Sequence, residues 1–340
     1  MLTHGDFFLF TAVDKAIKMS TFATFCENTT DNITLNQGSR SNNTMTQDNN
    51  KIAAHSALLI ANLIFGLGVP ITKLLLNDWV SPMAWMATRC IGAAAIFWAI
   101  SLFMPKEKVA AKDLLVIMIG GLIGFLVSQT FTAWAIDYST PTYVSLISTL
   151  TPVMTMVCAM LFIGERCSWK GFAGIVAGII GAMLMVVMNW QDGSGKNNVL
   201  GIGFMLLSLL TWAIYLIITR KVSAKYSAVT QMKWIFLVST IAILPFSWSD
   251  LTHSTLYSSA WQWSGVFEMA YIVVLATVVG FFAIPFASRY LKATTVSVYT
   301  NLQPIVTAIA AICLGQDRLT WDIPVALVLV LLSAWLAGKK

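Results

Sequence analysis

The strongest constraint on this chain is an apolar stretch that occurs twice. Residues 135–169 align without a gap with residues 287–321 when the numbering is shifted by 152, and 11 of the 35 positions are identical. Each copy holds an apolar segment with a proline in its middle, an acidic-Arg hinge, and the start of a second apolar segment. The repetition predicts a chain built from two related halves.

Composition places this repeat in a membrane. The 340 residues are 57% hydrophobic and 11% charged, whereas a soluble domain carries about 25% charged residues. So few charges cannot cover a water-facing surface, and the surrounding solvent is therefore predicted to be lipid. The formal charge of +6 does not indicate a nucleic-acid partner, because the basic residues lie in short gaps between apolar runs, where they set membrane orientation.

The cysteines and histidines indicate neither a disulfide framework nor a metal site. The five cysteines contain no CxxC or other ligand spacing, and the three histidines are far apart. Three of the cysteines lie inside apolar runs, so we interpret the cysteines as small apolar residues that pack in the membrane. We therefore expect no cofactor and no metal.

From residue 52 the chain reads as ten apolar stretches, each about 20 residues long and able to cross the hydrocarbon as a helix. We predict an all-α integral membrane protein with spans at 52–76, 81–104, 113–136, 141–164, 168–188, 199–219, 230–248, 266–288, 293–314 and 320–338.

These spans divide the chain into two halves and a tail. We predict a first five-helix repeat over 52–188, a linker loop over 189–198, and a second five-helix repeat over 199–340. Residues 1–51 form a polar N-terminal tail, and disorder is predicted there because positions 20–50 are rich in Asn, Thr, Ser and Gln.

Lysine and arginine set the orientation, since cytoplasmic loops carry an excess of both. One side of the predicted membrane holds twelve of them, and the other side holds three. Both termini are therefore predicted to lie in the cytoplasm, with the protein in the plasma (inner) membrane. An odd number of spans in each half makes the halves cross in opposite directions, so the repeats are predicted to be inverted, as in many secondary transporters.

Three groups of residues carry a resemblance to a known family. They are the opening helix Ala61–Gly66 with Lys73 and Arg89, the span 4 sequence Leu150-Thr151-Pro152 with Gly164-Glu165-Arg166, and the span 9 sequence Leu302-Gln303-Pro304 with Asp317-Arg318. Over residues 52–338 the chain resembles the EamA family of the drug/metabolite transporter superfamily. The resemblance implies a ten-helix bundle with a central cavity, around which the two inverted five-helix repeats are expected to lie, and export or import of small metabolites. The family more often has Trp at the position of Phe65.

Prolines in matching helices point to a site at the membrane midplane. Pro152 and Pro304 each leave a backbone carbonyl without its helix partner, and Pro70 loosens span 1. We interpret Pro152 and Pro304 as gating kinks, with a simple packing kink as the alternative. For Pro70, close helix packing through small residues and a flexible gate are the two interpretations. The polar runs before the two matched prolines add candidate substrate contacts, namely Ser148, Asn301 and Gln303.

Amide and aromatic side chains inside the spans are further candidates for substrate binding. Amides in lipid need hydrogen-bond partners, which singles out Asn62 and Gln129, the latter close to the middle of its span. The aromatic candidates compete with roles in packing or interface anchoring, and they are Phe65, Trp134, Trp212, Tyr215 and Tyr299.

Arg89 is the deepest charge, starting about 12 Å below one end of a hydrocarbon core of about 30 Å. It is predicted either to bind a substrate carboxylate or to snorkel outward. For Lys73, near the end of span 1, we expect snorkelling. We expect no carboxylate relay inside the membrane, because the acidic residues lie near span ends.

The leading hypothesis is a secondary transporter that moves small metabolites, such as amino acids, by alternating access. It would act as a monomer or homodimer with a small-molecule substrate and membrane lipid as partners, and it would not be an enzyme. A flippase for lipid or lipid-linked substrates could have the same fold and stays open as an alternative. An integral-membrane enzyme is the alternative from another class, and it would need a cluster of His, Asp, Glu or Cys at one membrane face.

Overall fold

The computed structural model describes residues 40–105, 107–163, 196–223, 225–283 and 302–318, with isolated positions at 169, 172–174, 176, 177, 180, 287, 299, 324, 325, 328 and 332. Within these residues the chain is helical and has no strand. Six of the described helices are long and apolar enough to cross a membrane, and a bent pair makes a seventh. The predicted all-α membrane fold is confirmed.

The described helices correspond to eight of the predicted spans. In the first half they are span 1, Arg40–Asp78; span 2, Pro82–Leu102; span 3, Ala111–Gly121 with Leu122–Val127 and Ser128–Tyr138; and span 4, Pro141–Ser148 with Thr151–Ile163. In the second half they are span 6, Asn198–Ser223; span 7, Ala228–His253; span 8, Trp263–Ala270 with Tyr271–Val279; and span 9, Leu302–Cys313. Predicted spans 5 and 10 lie largely outside the described residues.

Span 1 begins earlier than the hydrophobic pattern predicts. The helix starts at Arg40 rather than at residue 52, so positions 40–50, for which composition predicts disorder, are helical. No proline or glycine occurs between 40 and 51 to end the helix. Helical structure therefore continues past the apolar stretch into a polar extension.

Spans 2 and 7, which are repeat partners, begin with the same cap. Ser81 precedes span 2, and its hydroxyl accepts the Ala84 N–H at 3.2 Å. Ser227 precedes span 7 and accepts the Thr230 N–H at the same distance of 3.2 Å. A serine at this position satisfies one of the N–H groups that a helix start leaves unbonded. The matched caps fix equivalent starting points for the two helices.

The two halves run through the bundle in opposite directions. Span 1 ends beside the end of span 3, where the Lys73 ammonium is 2.7 Å from the Ile136 carbonyl oxygen. Span 6 instead begins at this end, because the Asn197 N–H donates to the Tyr138 carbonyl at 2.9 Å. We name this end of the bundle the Lys73 face, and the opposite end, which carries Glu107, the Glu107 face.

Helix contacts come in pairs that are related by exchanging the two halves. Span 2 packs on span 7, and span 4 packs on span 9. Span 6 packs on spans 3 and 4, while span 1 packs on their counterparts, spans 8 and 9. Span 7 contacts span 3 as span 2 contacts span 8. This pairing is that of inverted repeats related by a pseudo-two-fold axis in the membrane plane.

Spans 3 and 8 each change to π-helical geometry near the middle of the bundle. The segment in span 3 is Leu122–Val127 and the segment in span 8 is Tyr271–Val279. Shifted by 152, positions 122–127 correspond to 274–279, which lie inside the second segment. Such π-helical turns are rare and frequently lie at functional sites. Their matched placement directs attention to the side chains between them.

Candidate functional site

Arg89, on span 2, lies between the two π-helical segments, and only 5% of its surface is exposed. Its Nε–H donates to the Thr277 hydroxyl at 2.6 Å, and its Nη1–H donates to Gln129 Oε1 at 2.7 Å. The Thr277 hydroxyl donates its own hydrogen to the Ile272 carbonyl at 2.8 Å, which leaves its oxygen to accept from Arg89. The guanidinium therefore joins span 3 of the first half to span 8 of the second.

Three aromatic rings surround the same guanidinium. Its central carbon is 5.0 Å from the ring centroid of Trp85, 5.2 Å from that of Phe125 and 5.7 Å from that of Phe281. A cation within about 6 Å of a ring face is attracted by the ring's electrons. An arginine deep in a bilayer costs on the order of 2.5–3.5 kcal/mol on insertion scales, and the rings and hydrogen bonds offset part of this cost.

The partners of Arg89 form two repeat-related pairs. Shifted by 152, Phe125 corresponds to Thr277, and Gln129 corresponds to Phe281. Within these two pairs each half contributes one ring and one oxygen, in exchanged order, and Trp85 of the first half adds a third ring. The described part of the chain offers the remaining N–H groups of the guanidinium no hydrogen-bond acceptor.

Further aromatic side chains extend the site from Phe281 toward span 6. The Phe281 ring centroid is 5.7 Å from that of Phe65 and 6.3 Å from that of Trp212. Trp212 in turn lies 5.0 Å from Tyr215. The structure therefore brings together five of the residues that the sequence analysis selected, namely Phe65, Arg89, Gln129, Trp212 and Tyr215.

Two glycines allow the aromatic side chains to approach so closely. A Cβ atom on Gly280 would lie 2.6 Å from the tip of the Phe65 ring, and one on Gly124 would lie 2.0 Å from Tyr215 Cβ. Both distances are far shorter than a carbon–carbon contact of about 3.5–4.0 Å. The absence of a side chain at each position is thus a condition for placing these rings.

A second polar group joins span 1 to span 9. The Gln303 amide donates to Asn62 Oδ1 at 2.7 Å, and the Thr307 hydroxyl donates to the Gly66 carbonyl at 2.8 Å. Pro70 explains the second bond, because it lacks the N–H that would bond the carbonyl four residues earlier. Asn62 and Gln303 are therefore brought together, but against each other and not against Arg89.

In span 4 the carbonyl that Pro152 frees is bonded within the same span. The Ser148 carbonyl accepts the Thr151 hydroxyl at 2.5 Å, and the Ser148 hydroxyl donates to the Ser145 carbonyl at 2.6 Å. The span bends by 42° at this break. Pro304, the repeat partner of Pro152, is buried in span 9. The gating role of the prolines stays a prediction.

The other selected residues lie away from Arg89. The Tyr299 hydroxyl is 3.0 Å from His55 Nδ1, near the Glu107 end of span 1. Trp134 packs on Phe204 with ring centroids 5.4 Å apart, toward the Lys73 face. Asn301 lies outside the described residues.

Four of the side chains around Arg89 were not selected from the sequence. They are Trp85, Phe125, Thr277 and Phe281. Apolar rings and a threonine are ordinary residues in a membrane helix, so none of them stands out by type. For Phe281 a signal was present, since the 152-residue shift maps it onto Gln129.

Lys73 binds the end of span 3 rather than snorkelling toward water. Its ammonium donates to the carbonyls of Ile136, Asp137 and Ser139 at 2.7, 2.8 and 3.0 Å. The last carbonyls of a helix lack partners and carry partial negative charge, so a cation stabilises them. The Asp137 carboxylate pairs with Lys196 at 2.6 Å. This group ties spans 1, 3 and 6 together at the Lys73 face.

One buried carboxylate lies inside a span, close to the span's end. Glu268 is 8% exposed and lies about 7.5 Å from the start of span 8 at Trp263. It belongs to the Lys73 end of the helix and not to the environment of Arg89. Among the described residues, no group of three or more His, Cys, Asp or Glu side chains is placed to hold a metal ion.

Comparison with known proteins gives the same architecture. The sequence model of the EamA-like transporter family matches residues 52–187 and again residues 199–338. The uncharacterized transporter YcxC of Bacillus subtilis is 26% identical over 279 residues, which are 79% of this chain and 87% of YcxC.

Two relatives have names that state a substrate. An S-adenosylmethionine uptake transporter of Rickettsia felis is 24% identical over 195 residues, covering 56% of this chain and 61% of the relative. A probable terminal-alkyne amino-acid exporter of Streptantibioticus cattleyicolor is 23% identical over 208 residues, covering 61% of this chain and 67% of the relative.

A solved crystal structure aligns with 84% of this chain and 96% of its own length, with a TM-score of 0.57 and 16% sequence identity. At that identity the likeness concerns the fold alone. The family match covers both halves of the chain, and the described helices are long and apolar enough to span a bilayer. The chain therefore belongs to the EamA-like transporter family and is an integral membrane transporter.

Proposed function

We propose that this protein is a secondary transporter that moves small carboxylate-bearing metabolites, amino acids among them, by alternating access of its two halves. The observation that carries the proposal is the buried guanidinium of Arg89, held between span 3 and span 8. An ionisable side chain inside a membrane bundle is costly, so by default it marks a substrate or ion pathway.

The chemistry of the site favours an anion attached to an apolar body. A guanidinium offers parallel N–H groups that match the two oxygens of a carboxylate. The Phe281 ring lies beside the guanidinium, and the rings of Phe65 and Trp212 lie next to Phe281. Ligand sites are typically apolar surfaces with a few polar groups that fix orientation. A carboxylate would bind the cation while the rings contact the remainder of the molecule.

The names of two relatives support the same chemical class. S-adenosylmethionine and an amino acid with a terminal alkyne both carry an amino-acid carboxylate. The inverted halves and their exchanged contacts support alternating access, because rocking of one repeat against the other moves a fixed central site between the two sides.

Solute counterflow in proteoliposomes tests the proposal. Proteoliposomes that contain the purified protein are loaded with one unlabelled amino acid, nucleoside, sugar or polyamine at a time. Uptake of the same compound in labelled form is then followed. We expect counterflow for amino acids and loss of that signal in Arg89→Gln. Lys112→Gln is the matched control, because Lys112 is an exposed cation at the start of span 3, and it should transport like the wild type.

Two outcomes would contradict the proposal. Counterflow that is unchanged in Arg89→Gln would remove Arg89 from the substrate pathway. Transport confined to labelled lipids, with no exchange of water-soluble compounds, would support a flippase instead.

A further inference from the structure

We infer that the carboxylate of the substrate displaces Thr277 from Arg89 and so breaks the hydrogen bond that joins the two halves of the site. The inference rests on the proposed function and adds a coupling step to it. Arg89 belongs to the first half, and its Nε–H bond to Thr277, at 2.6 Å, reaches into the second. Its bond to Gln129 stays within the first half.

Thr277 is the partner that can be released at the lower cost. Its hydroxyl also donates to the Ile272 carbonyl at 2.8 Å, and this bond remains when Arg89 leaves. A neutral hydroxyl is a weaker acceptor for a guanidinium than a carboxylate, whose charge-assisted bonds are roughly twice as strong. The exchange is therefore favourable when a carboxylate arrives.

Gln129 has the opposite role in this step. Its Oε1 holds Nη1 of the guanidinium at 2.7 Å from within the same half. A carboxylate that binds the Nε and Nη2 groups together replaces Thr277 as the acceptor of the Nε–H bond. The bond from Nη1 to the Gln129 amide stays in place. Gln129 is thus a positioning residue that keeps the cation aimed at the place where Thr277 was.

The step couples binding to opening because a ligand shifts a two-state equilibrium only by binding the two states differently. In the structure described here, Arg89 holds Thr277 and is 5% exposed. In the open arrangement, the same donor is free for the substrate. Substrate binding and loss of the hydrogen bond between span 2 and span 8 are then one exchange of acceptors on Arg89.

The test measures equilibrium binding of benzoate and each common amino acid to detergent-purified full-length protein by isothermal titration calorimetry. We expect Thr277→Val to bind the carboxylate probes about tenfold more tightly than the wild type, since the competing acceptor is gone. Thr277→Ser keeps the hydroxyl and should keep wild-type affinity. Gln129→Met should bind about tenfold more weakly, because the guanidinium loses its support.

A matched control isolates the Arg89 contact. Thr130→Val removes a buried threonine hydroxyl that bonds only its own helix, at the Leu126 carbonyl, and should leave affinity unchanged. Equal or weaker binding by Thr277→Val, or no binding of any probe to either protein, overturns the inference. If Arg89→Gln binds the probes as the wild type does, the proposed site itself fails, which is a different result from failure of the coupling step alone.

Discussion

At the scale of single residues, Arg89 is stable inside the hydrocarbon because distant parts of the chain meet around it. Gln129 is 40 residues away in sequence and Thr277 is 188 residues away. Two rings from the same two spans add cation–π attraction. The sequence identifies the buried charge, but the contacts that stabilise it depend on how spans 2, 3 and 8 pack.

Gly124 provides a residue-scale test of how tightly this region is packed. A Cβ there would lie 2.0 Å from Tyr215 Cβ, whereas a Cβ on Gly203 would meet nothing within 4 Å. We expect Gly124→Ala to lower the free energy of unfolding by about 1–3 kcal/mol through overpacking. Gly203→Ala should be neutral or slightly stabilising. Thermal unfolding in detergent compares the two, and equal stability would contradict the packing described around Tyr215.

Glu107 provides a pH-dependent test at the Glu107 face. Partial burial acts to raise its pKa, but the hydroxyls of Thr230 and Ser227 and the Ser227 N–H outweigh this and hold the pKa below its ordinary value. A lowered folded-state pKa stabilises the fold above the ordinary carboxyl pKa, and this contribution is lost as the pH falls through the lowered value. We expect wild type to be more stable than Glu107→Gln near neutral pH.

The expected difference should disappear on acidification. Thermal unfolding midpoints of wild type and Glu107→Gln, measured from neutral pH to below the lowered pKa of Glu107, should converge at the acid end. A constant difference at all pH values would show that Glu107 acts without its charge.

At the scale of helices, spans 1 and 9 are joined where a proline interrupts the backbone bonding of span 1. Pro70 cannot bond the Gly66 carbonyl, and the Thr307 hydroxyl takes that place at 2.8 Å. The Gln303 amide donates to Asn62 in the same interface, and the Gln316 amide donates to the Pro70 carbonyl at 2.9 Å. These bonds make the two helices one packed unit across the two sequence halves.

A double-mutant cycle tests this interface. We expect Thr307→Val to cost about 1–3 kcal/mol of stability, because it leaves a buried carbonyl unbonded. Pro70→Ala restores the N–H, so Thr307→Val should cost less in that background. Thr155→Val is the matched control: Thr155 is the repeat partner of Thr307, but its hydroxyl bonds its own helix at the Thr151 carbonyl. Identical costs of Thr307→Val in both backgrounds would contradict the account.

At the scale of the whole molecule, the two halves and their inversion can be predicted from the sequence, but the central site only in part. The apolar stretches and the 152-residue repeat are visible in the sequence itself, so they can be recognised without knowing how the helices pack. Phe65, Arg89 and Gln129 are recognisable by type or repeat position. Thr277 is not, because its role arises only when span 8 packs against span 2. Trp134 and Tyr299 are equally good candidates in the sequence, but in the structure they lie away from Arg89, beside Phe204 and His55 respectively.

The orientation of the molecule is tested by reporter fusions. The twelve-to-three distribution of Lys and Arg predicts a cytoplasmic C-terminus. Green fluorescent protein fused after Lys340 should fluoresce, and alkaline phosphatase fused there should be inactive. Alkaline phosphatase fused after Gly193, in the predicted linker loop on the opposite side, should be active. The reverse pattern would place both termini outside.

The most direct test of the central claim is counterflow of an amino acid against its amide, in which the carboxylate alone is replaced by a neutral carboxamide. Proteoliposomes with wild-type protein should exchange the amino acid and discriminate against the amide, because only the carboxylate makes charge-assisted bonds to Arg89. Arg89→Gln should lose this preference. Equal exchange of both compounds by the wild type, or a preference that persists in Arg89→Gln, would contradict the assignment of Arg89 as the carboxylate site.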